Sequence, residues 1–353
     1  MKFGNKVTIN DVAEMAGVSK GTVDRVLHDR GEVSAKSKEK VLRAIEELGF
    51  RPNLHASLLA SQKEHVILCL IPDYLPGEFW SLTEKGLMEG ASSVARYGIR
   101  IQILKYDQYS VASFRKACES ALELEPSGVI IAPMFKDETY NFVCELQNRS
   151  VPYIYVDSKI DDDRYLAYFG MPMYQSGRLC ADILTGGRYV PEKVHVVRIA
   201  RDKEGLSDPT SSRRKGFEDY MSEHYPDVVI ENVFIDPKDF KEIDAKLDET
   251  VGADKDRMKF IVMFNSRIHI VADYLERRKI KKCRVVGFDA LDKNMAALKK
   301  GHVHALIAQH TDRQASQAVI SLGDHLILHA PVARKDNYTQ MDILTYYNCD
   351  YYL

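Results

Sequence analysis

From Val66 to Phe288, short β-branched and aromatic runs alternate with amphipathic stretches of helical length, and this alternation restricts the fold more than any other feature of the chain. The strand candidates are 66–71, 99–104, 129–132, 153–156, 194–199, 228–235, 260–264 and 284–288, nearly all apolar, as strands buried on both faces must be. Helical spacing fills the gaps at about 81–97, 111–124, 138–148, 174–185, 211–223, 239–250, 267–279 and 312–328. Such alternation builds doubly wound parallel sheets through right-handed crossovers. Four strands end near Val156 and a second series restarts after a Gly170–Gly177 loop. Two α/β lobes are therefore expected, with a ligand between them at the carboxyl ends of the strands.

The first fifty residues follow a different plan. Thr8 can cap a helix over 9–16, with Asp11 reaching back as in a capping box. Gly17 permits a tight turn, Val18 plugs it, and Ser19 is an N-cap for a second helix over 20–27. A third helix over 34–48 supplies Val41, Leu42, Ile45 and Leu48 to a small core shared with Val12, Ala13, Ala16, Val18, Val23, Val26 and Leu27. Arg51-Pro52-Asn53 breaks the pattern, and residues 54–61 form a short helix-capable linker, marginal unless something packs on it. The expected domains are a helical unit at 1–51, a linker at 52–64 and a core at 65–353. Within the core, one lobe is expected at about 65–160 plus 291–325 and the other at about 161–290 plus 326–353.

Composition excludes several classes. The hydrophobic fraction of 45% and charged fraction of 28% are ordinary for a chain that folds throughout. No apolar run reaches the roughly 18 residues of a membrane helix, and Asp11, Glu14, Asp24 and Asp29 interrupt any secretory leader, so a cytoplasmic protein with no membrane partner is expected. The six cysteines form no C-x-x-C pair, which fits neither a disulfide framework nor a zinc module. His302-Val303-His304 lacks a third ligand at suitable spacing, so no metal is expected. No Walker loop, G-x-G-x-x-G or Ser-His-Asp order sits at a strand-to-helix junction, so neither a cofactor nor an enzyme is expected. Residues 1–64 carry 11 basic and 9 acidic side chains, a mild positive excess on a chain of net charge −2.

The run from Val7 through Thr8, Asn10-Asp11-Val12-Ala13, Gly17-Val18-Ser19 and Thr22-Val23 to Arg25-Val26-Leu27, with Val33-Ser34 and Gly49-Phe50-Arg51-Pro52-Asn53, resembles the DNA-binding end of the LacI/GalR family of bacterial transcription regulators. The downstream region is similar to that family's periplasmic-binding-protein-like core, so the resemblance covers essentially the whole chain. It implies a regulator that binds a palindromic operator in double-stranded DNA as a homodimer, most often a repressor. By matching position, Lys20, Gly21 and Arg25 look like base readers, and Thr8, Ser19, Thr22, Ser34 and Asn53 like contacts to the DNA backbone. Leu59 stands where the family inserts a leucine into the minor groove, with Leu58 beside it; the alternative is that both pack onto the lobes. Gly21 and Asp24 depart from the family pattern. Asp24 can repel phosphate, pair with Lys20 or His28, or accept from a cytosine amino group, and the sequence leaves these open. Helices near 81–97 and 111–124 are the expected subunit contact, and with no heptad tail a dimer is the expected assembly.

The same resemblance implies an effector site made of Asp157, Arg213, Asn265, Asp289 and Gln309 near strand ends, with Phe79 and Trp80 as aromatic candidates. Carboxylates and amides that take hydroxyls, a guanidinium and a stacking ring describe a pocket for a small carbohydrate-like effector. Arg198, Arg201, Arg214 and Arg267 tilt the expectation toward an acidic or phosphorylated sugar. The competing expectation is a sugar-binding α/β protein whose N-terminal helices form an interaction module and bind no DNA.

Overall fold

The computed structural model describes residues 7–27, 31, 33–48, 50, 64–186, 190–199, 210–253 and 257–352. They fall into two compact units, one comprising the residues up to Glu64 with Ile327–Ala330, the other His65–Leu326 with Pro331–Leu353.

The first unit holds helices α1 (Ile9–Ala16), α2 (Lys20–Leu27) and α3 (Ala35–Leu48). The Thr8 N–H and hydroxyl both donate to the Asp11 carboxylate, at 2.7 and 2.8 Å, which satisfies an orphan donor at the start of α1 and holds the Asp11 carboxyl below its usual pKa. Gly17 ends α1 in the left-handed region (φ +63°), where the Val18 N–H can turn back onto the Ala13 carbonyl at 3.0 Å. The helices then share a core of Val12, Ala13, Ala16, Val23, Val26, Val41, Ala44 and Phe50. Leu42, expected in that core, is 52% exposed. Positions 41, 44, 45 and 48 share one helical face, so geometry gives the place to Ala44 over the more hydrophobic neighbour.

The second unit opens with β1 (His65–Pro72), α4 (Phe79–Val94), β2 (Ile99–Tyr106), α5 (Val111–Glu123), β3 (Gly128–Ile131), α6 (Lys136–Asn148), β4 (Tyr153–Asp157) and β5 (Ala167–Gly170). It continues through α7 (Met173–Thr185), β6 (Lys193–Ile199), α8 (Ser211–His224), β7 (Val229–Ile235), α9 (Phe240–Glu249), β8 (Lys259–Val262), α10 (His269–Arg278), β9 (Cys283–Phe288), α11 (Asp292–Lys299) and β10 (Ala305–Ala308). Last come α12 (Thr311–Leu328), β11 (Asp336–Tyr338) and β12 (Asp342–Leu344). Among the described residues these strands form two six-stranded sheets, ordered β11-β5-β4-β3-β1-β2 and β12-β10-β9-β8-β6-β7. The pairings are parallel except that of β10 with β12. No described helix is long and apolar enough to cross a membrane.

The lobe limits differ from those expected. β5 pairs with β4 (Ile154 opposite Ala167), so the first lobe runs through Gly170 instead of ending near 160. β10 pairs with β9, which puts Asp292–Ala308 in the second lobe; the chain returns to the first lobe in α12 and β11, then to the second in β12. A strand of three or four residues joins whichever sheet edge is vacant, and long-range pairing, not local pattern, makes that choice. Three crossovers thus join the lobes, at 171–172, 309–310 and 339–341.

Two glycines set how α7 and α8 meet. A Cβ on Gly177 would stand 1.8 Å from the Arg213 carbonyl oxygen, and one on Gly216 would stand 1.9 Å from that of Tyr174. The helices therefore touch backbone to backbone, and this brings the first turn of α8, with Arg213, over the sheet ends.

Candidate functional site

In the helical unit, the Ser19 hydroxyl accepts from the Thr22 N–H at 3.2 Å and bonds the Thr22 hydroxyl at 2.9 Å, which starts α2 and fixes both side chains. Lys20, Gly21, Asp24 and Arg25 are exposed on α2, while Val23 and Val26 hold its other face in the core. Thr8 and Ser34 are exposed and bonded at the starts of their helices, Ser34 accepting from the Ser37 N–H at 3.3 Å. A helix held in this way presents Lys20 and Gly21 in its first turn and Arg25 in its last, all exposed, a shape that enters a major groove. Asn53, Leu58 and Leu59 lie outside the described residues, as do His28 and Arg201.

In the second unit one cavity of about 1030 Å³ opens between the lobes, lined among others by Phe79, Trp80, Asp157, Arg213, Asn265, Asp289 and Gln309. All seven residues expected at the effector site are thus brought together. Of the five expected near strand ends, Arg213 is instead in the first turn of α8; Phe79 and Trp80 open α4, their rings edge to face at 4.9 Å. β8 stops at Val262, so Asn265 lies in the loop beyond it, its Oδ1 accepting the Arg267 N–H at 3.0 Å.

Arg213 is buried. Its Nε donates to Ser176 Oγ at 3.1 Å, one Nη to the Phe264 carbonyl, and the guanidinium lies 3.9 Å from the Phe288 ring centre. No described carboxylate forms an ion pair with it; Asp157 and Asp289 act on it through space, against a desolvation that lowers its pKa. Both acids respond to the same environment. Burial pushes Asp157 up to about 7 and Asp289 up to about 6, each opposed by the Arg213 charge. Asp289 is further stabilised as the anion by Gln309 Nε2, 2.8 Å from its Oδ1, while Gln309 Oε1 is buried with no partner. Both aspartates adopt left-handed backbone (φ +64° and +68°), a conformation costing about 1 kcal/mol that turns each carboxyl off its strand end. The deep end of the cavity is therefore rich in acceptors and suits a compound with several hydroxyl donors.

Sequence reasoning missed the side chains that hold this geometry. Asn294, fully buried in α11, donates to the carbonyls of Ser266, Phe288 and Asp289 and accepts from the His269 N–H, tying the Asn265 loop to Asp289. Ser176, on the buried face of α7, orients Arg213. Neither residue stands in a pattern that points to it. Only the R-x-x-G spacing of Arg213 and Gly216 carried a readable signal, since helix contact at that glycine demands the absence of a side chain. The described residues contain no cluster of His, Cys, Asp or Glu able to hold a metal ion.

Comparison with known proteins agrees with both units. The family described as bacterial regulatory proteins, lacI family, matches residues 8–53, and the family described as periplasmic binding protein domain matches 68–327. The ribose operon repressor of Lactococcus lactis is 26% identical over 288 residues, 80% of each chain. A solved structure from Bacteroides fragilis, assigned as a LacI transcriptional regulator, superposes with TM-score 0.78 at 33% identity, over 82% of this chain and all (100%) of that one. A glucose-galactose binding protein from Geobacillus stearothermophilus (TM-score 0.69, 18% identity, 81% and 99% of the chains) shares the fold of the second unit.

Proposed function

Because the chain belongs to the lacI family of bacterial regulatory proteins, a family of DNA-binding transcription regulators, we propose that it is a cytoplasmic repressor of carbohydrate-utilisation genes, released from or locked onto its operator by a small effector in the inter-lobe cavity. The operator is a palindrome and the protein acts on it as a homodimer, because two-fold DNA symmetry calls for two recognition helices. Lys20, Gly21 and Arg25 read bases; Thr8, Ser19, Thr22, Ser34 and Asn53 fix register on phosphates; Leu59 opens the minor groove at the centre. The single observation that carries the effector reading is the convergence of Phe79, Trp80, Asp157, Arg213, Asn265, Asp289 and Gln309 on one cavity.

The effector is a neutral polyhydroxy compound. Two carboxylates and the unpaired Gln309 oxygen favour hydroxyl donors there, whereas most of the Arg213 donors are already engaged by Ser176, Phe264 and the Met171 and Met173 sulfurs. A uronate or sugar phosphate would bring its charge against both acids. The Lactococcus relative is named for a ribose operon, which agrees with a neutral sugar. The test is selection of bound fragments from random double-stranded DNA by the purified protein, repeated with neutral sugars, polyols, uronates and sugar phosphates. A recovered palindrome whose occupancy changes with one neutral compound is expected; no enrichment even at low salt would overturn the DNA-binding role, and a response confined to the charged compounds would overturn the neutral-effector reading.

A further inference from the structure

At the mouth of the cavity one ion pair crosses from lobe to lobe. Arg267 of the second lobe places Nη2 2.9 Å from Glu78 Oε1 of the first. Both side chains are largely shielded, 24% and 33% exposed, so water screens the pair less than a fully exposed one. Each end is braced. Glu78 Oε2 accepts the Leu75 N–H at 3.0 Å, and Glu78 directly precedes Phe79 and Trp80 at the start of α4. Arg267 sits two residues after Asn265, on the loop that Asn294 ties to Asp289. A second, weaker bridge accompanies it, Lys238 Nζ lying 5.6 Å from the Tyr109 ring centre.

We infer that Glu78 and Arg267 form an inter-lobe latch that biases the cleft toward the closed arrangement before any effector binds. The aromatic wall rides on one end of the pair and the polar wall on the other, so making the ion pair and bringing the walls together are one movement. Such a latch tunes effector affinity through the closed fraction of the cleft, because a cleft that is closed more of the time binds more tightly by that fraction.

The chain contains its own probe, since Trp80 is its only tryptophan and lines the cavity. Acrylamide quenching of Trp80 in the full-length protein, without DNA or effector, reads how open the cleft is. Arg267→Gln, on the opposite lobe from the probe, is expected to raise the quenching constant about twofold at low salt. Raising NaCl to about 1 M should bring the wild type toward the variant and leave the variant unchanged. The charge-swapped protein Glu78→Arg/Arg267→Glu should return toward wild-type quenching. Equal quenching of Arg267→Gln and wild type at low salt, or a swapped protein that opens further than Arg267→Gln, would overturn the latch. Because the assay needs neither DNA nor sugar, its failure would leave the repressor reading intact.

Discussion

In the first lobe Asp157 ends the fourth strand with φ +64°; in the second, Asp289 follows the fourth strand with φ +68°. The two sheets share one order, β2-β1-β3-β4-β5 and β7-β6-β8-β9-β10, so these acids occupy equivalent places on two copies of one plan. Both face Arg213, yet burial lifts Asp157 to about 7 and Asp289 only to about 6. Their surroundings differ in two respects: Gln309, which follows β10, donates to Asp289 and favours its anion, whereas Asp157 has no such amide and is raised further by the Asp289 charge. Equivalent folds thus leave two like groups in different electrostatic surroundings, one braced by an amide donor and the other facing a neighbouring acid.

The largest expected effect comes from removing either charge. An acid whose folded pKa is raised costs the native state nothing below its unfolded pKa near 3.8, and the cost grows as pH rises to the folded value. At pH 8 the full shift implies up to roughly 4 kcal/mol for Asp157 and roughly 3 kcal/mol for Asp289. Urea unfolding should therefore find Asp157→Asn more stable than wild type at pH 8, Asp289→Asn less strongly so, with both gains gone by about pH 4. A gain for Asp289→Asn that exceeds the other would break the comparison.

Next in size is Arg213→Met, which removes the cation that both acids face; the affinity for the compound found by selection should fall about 100-fold in titration calorimetry. Gln309→Leu should reduce the difference between the lobes. Without its amide, Asp289 should titrate higher, closer to Asp157, and effector affinity should fall more steeply as the pH drops below 7. In the wild type that loss begins as pH falls through 7, because protonation removes the Asp157 charge and turns one of its acceptor oxygens into a donor. The smallest effect is expected in the helical unit. Asp24→Ser should raise affinity for random DNA about threefold at fixed salt, measured by fluorescence anisotropy; an unchanged value would remove phosphate repulsion from the account.

What could be read in the sequence follows the range of the interactions. α1 and α2 stand at the expected residues because Thr8, Gly17 and Ser19 mark their ends locally. β1 to β4 and β6 to β9 were legible from their hydrophobicity. β5 and β10 were not, although they are no shorter than β3 and β8, and neither were the three-residue β11 and β12, which are too short for any period to register and pair with strands far along the chain. The lobe limits failed for the same reason. At the site, Asp157, Asp289 and Arg213 could be placed by resemblance, but the αL turn of each acid, the buried brace of Asn294 and the ion pair from Arg267 to Glu78 arise only when distant segments meet. Leu42 shows the converse, a strongly apolar residue left in solvent because its neighbours at helical spacing fill the core.

The most direct test of the account is occupancy of the selected operator by wild-type and Arg213→Met proteins across the same panel of neutral sugars, at one salt concentration. Wild-type occupancy should change with one compound, while the variant binds the same DNA and ignores that compound. A variant that responds as the wild type does would contradict the placement of the effector in this cavity.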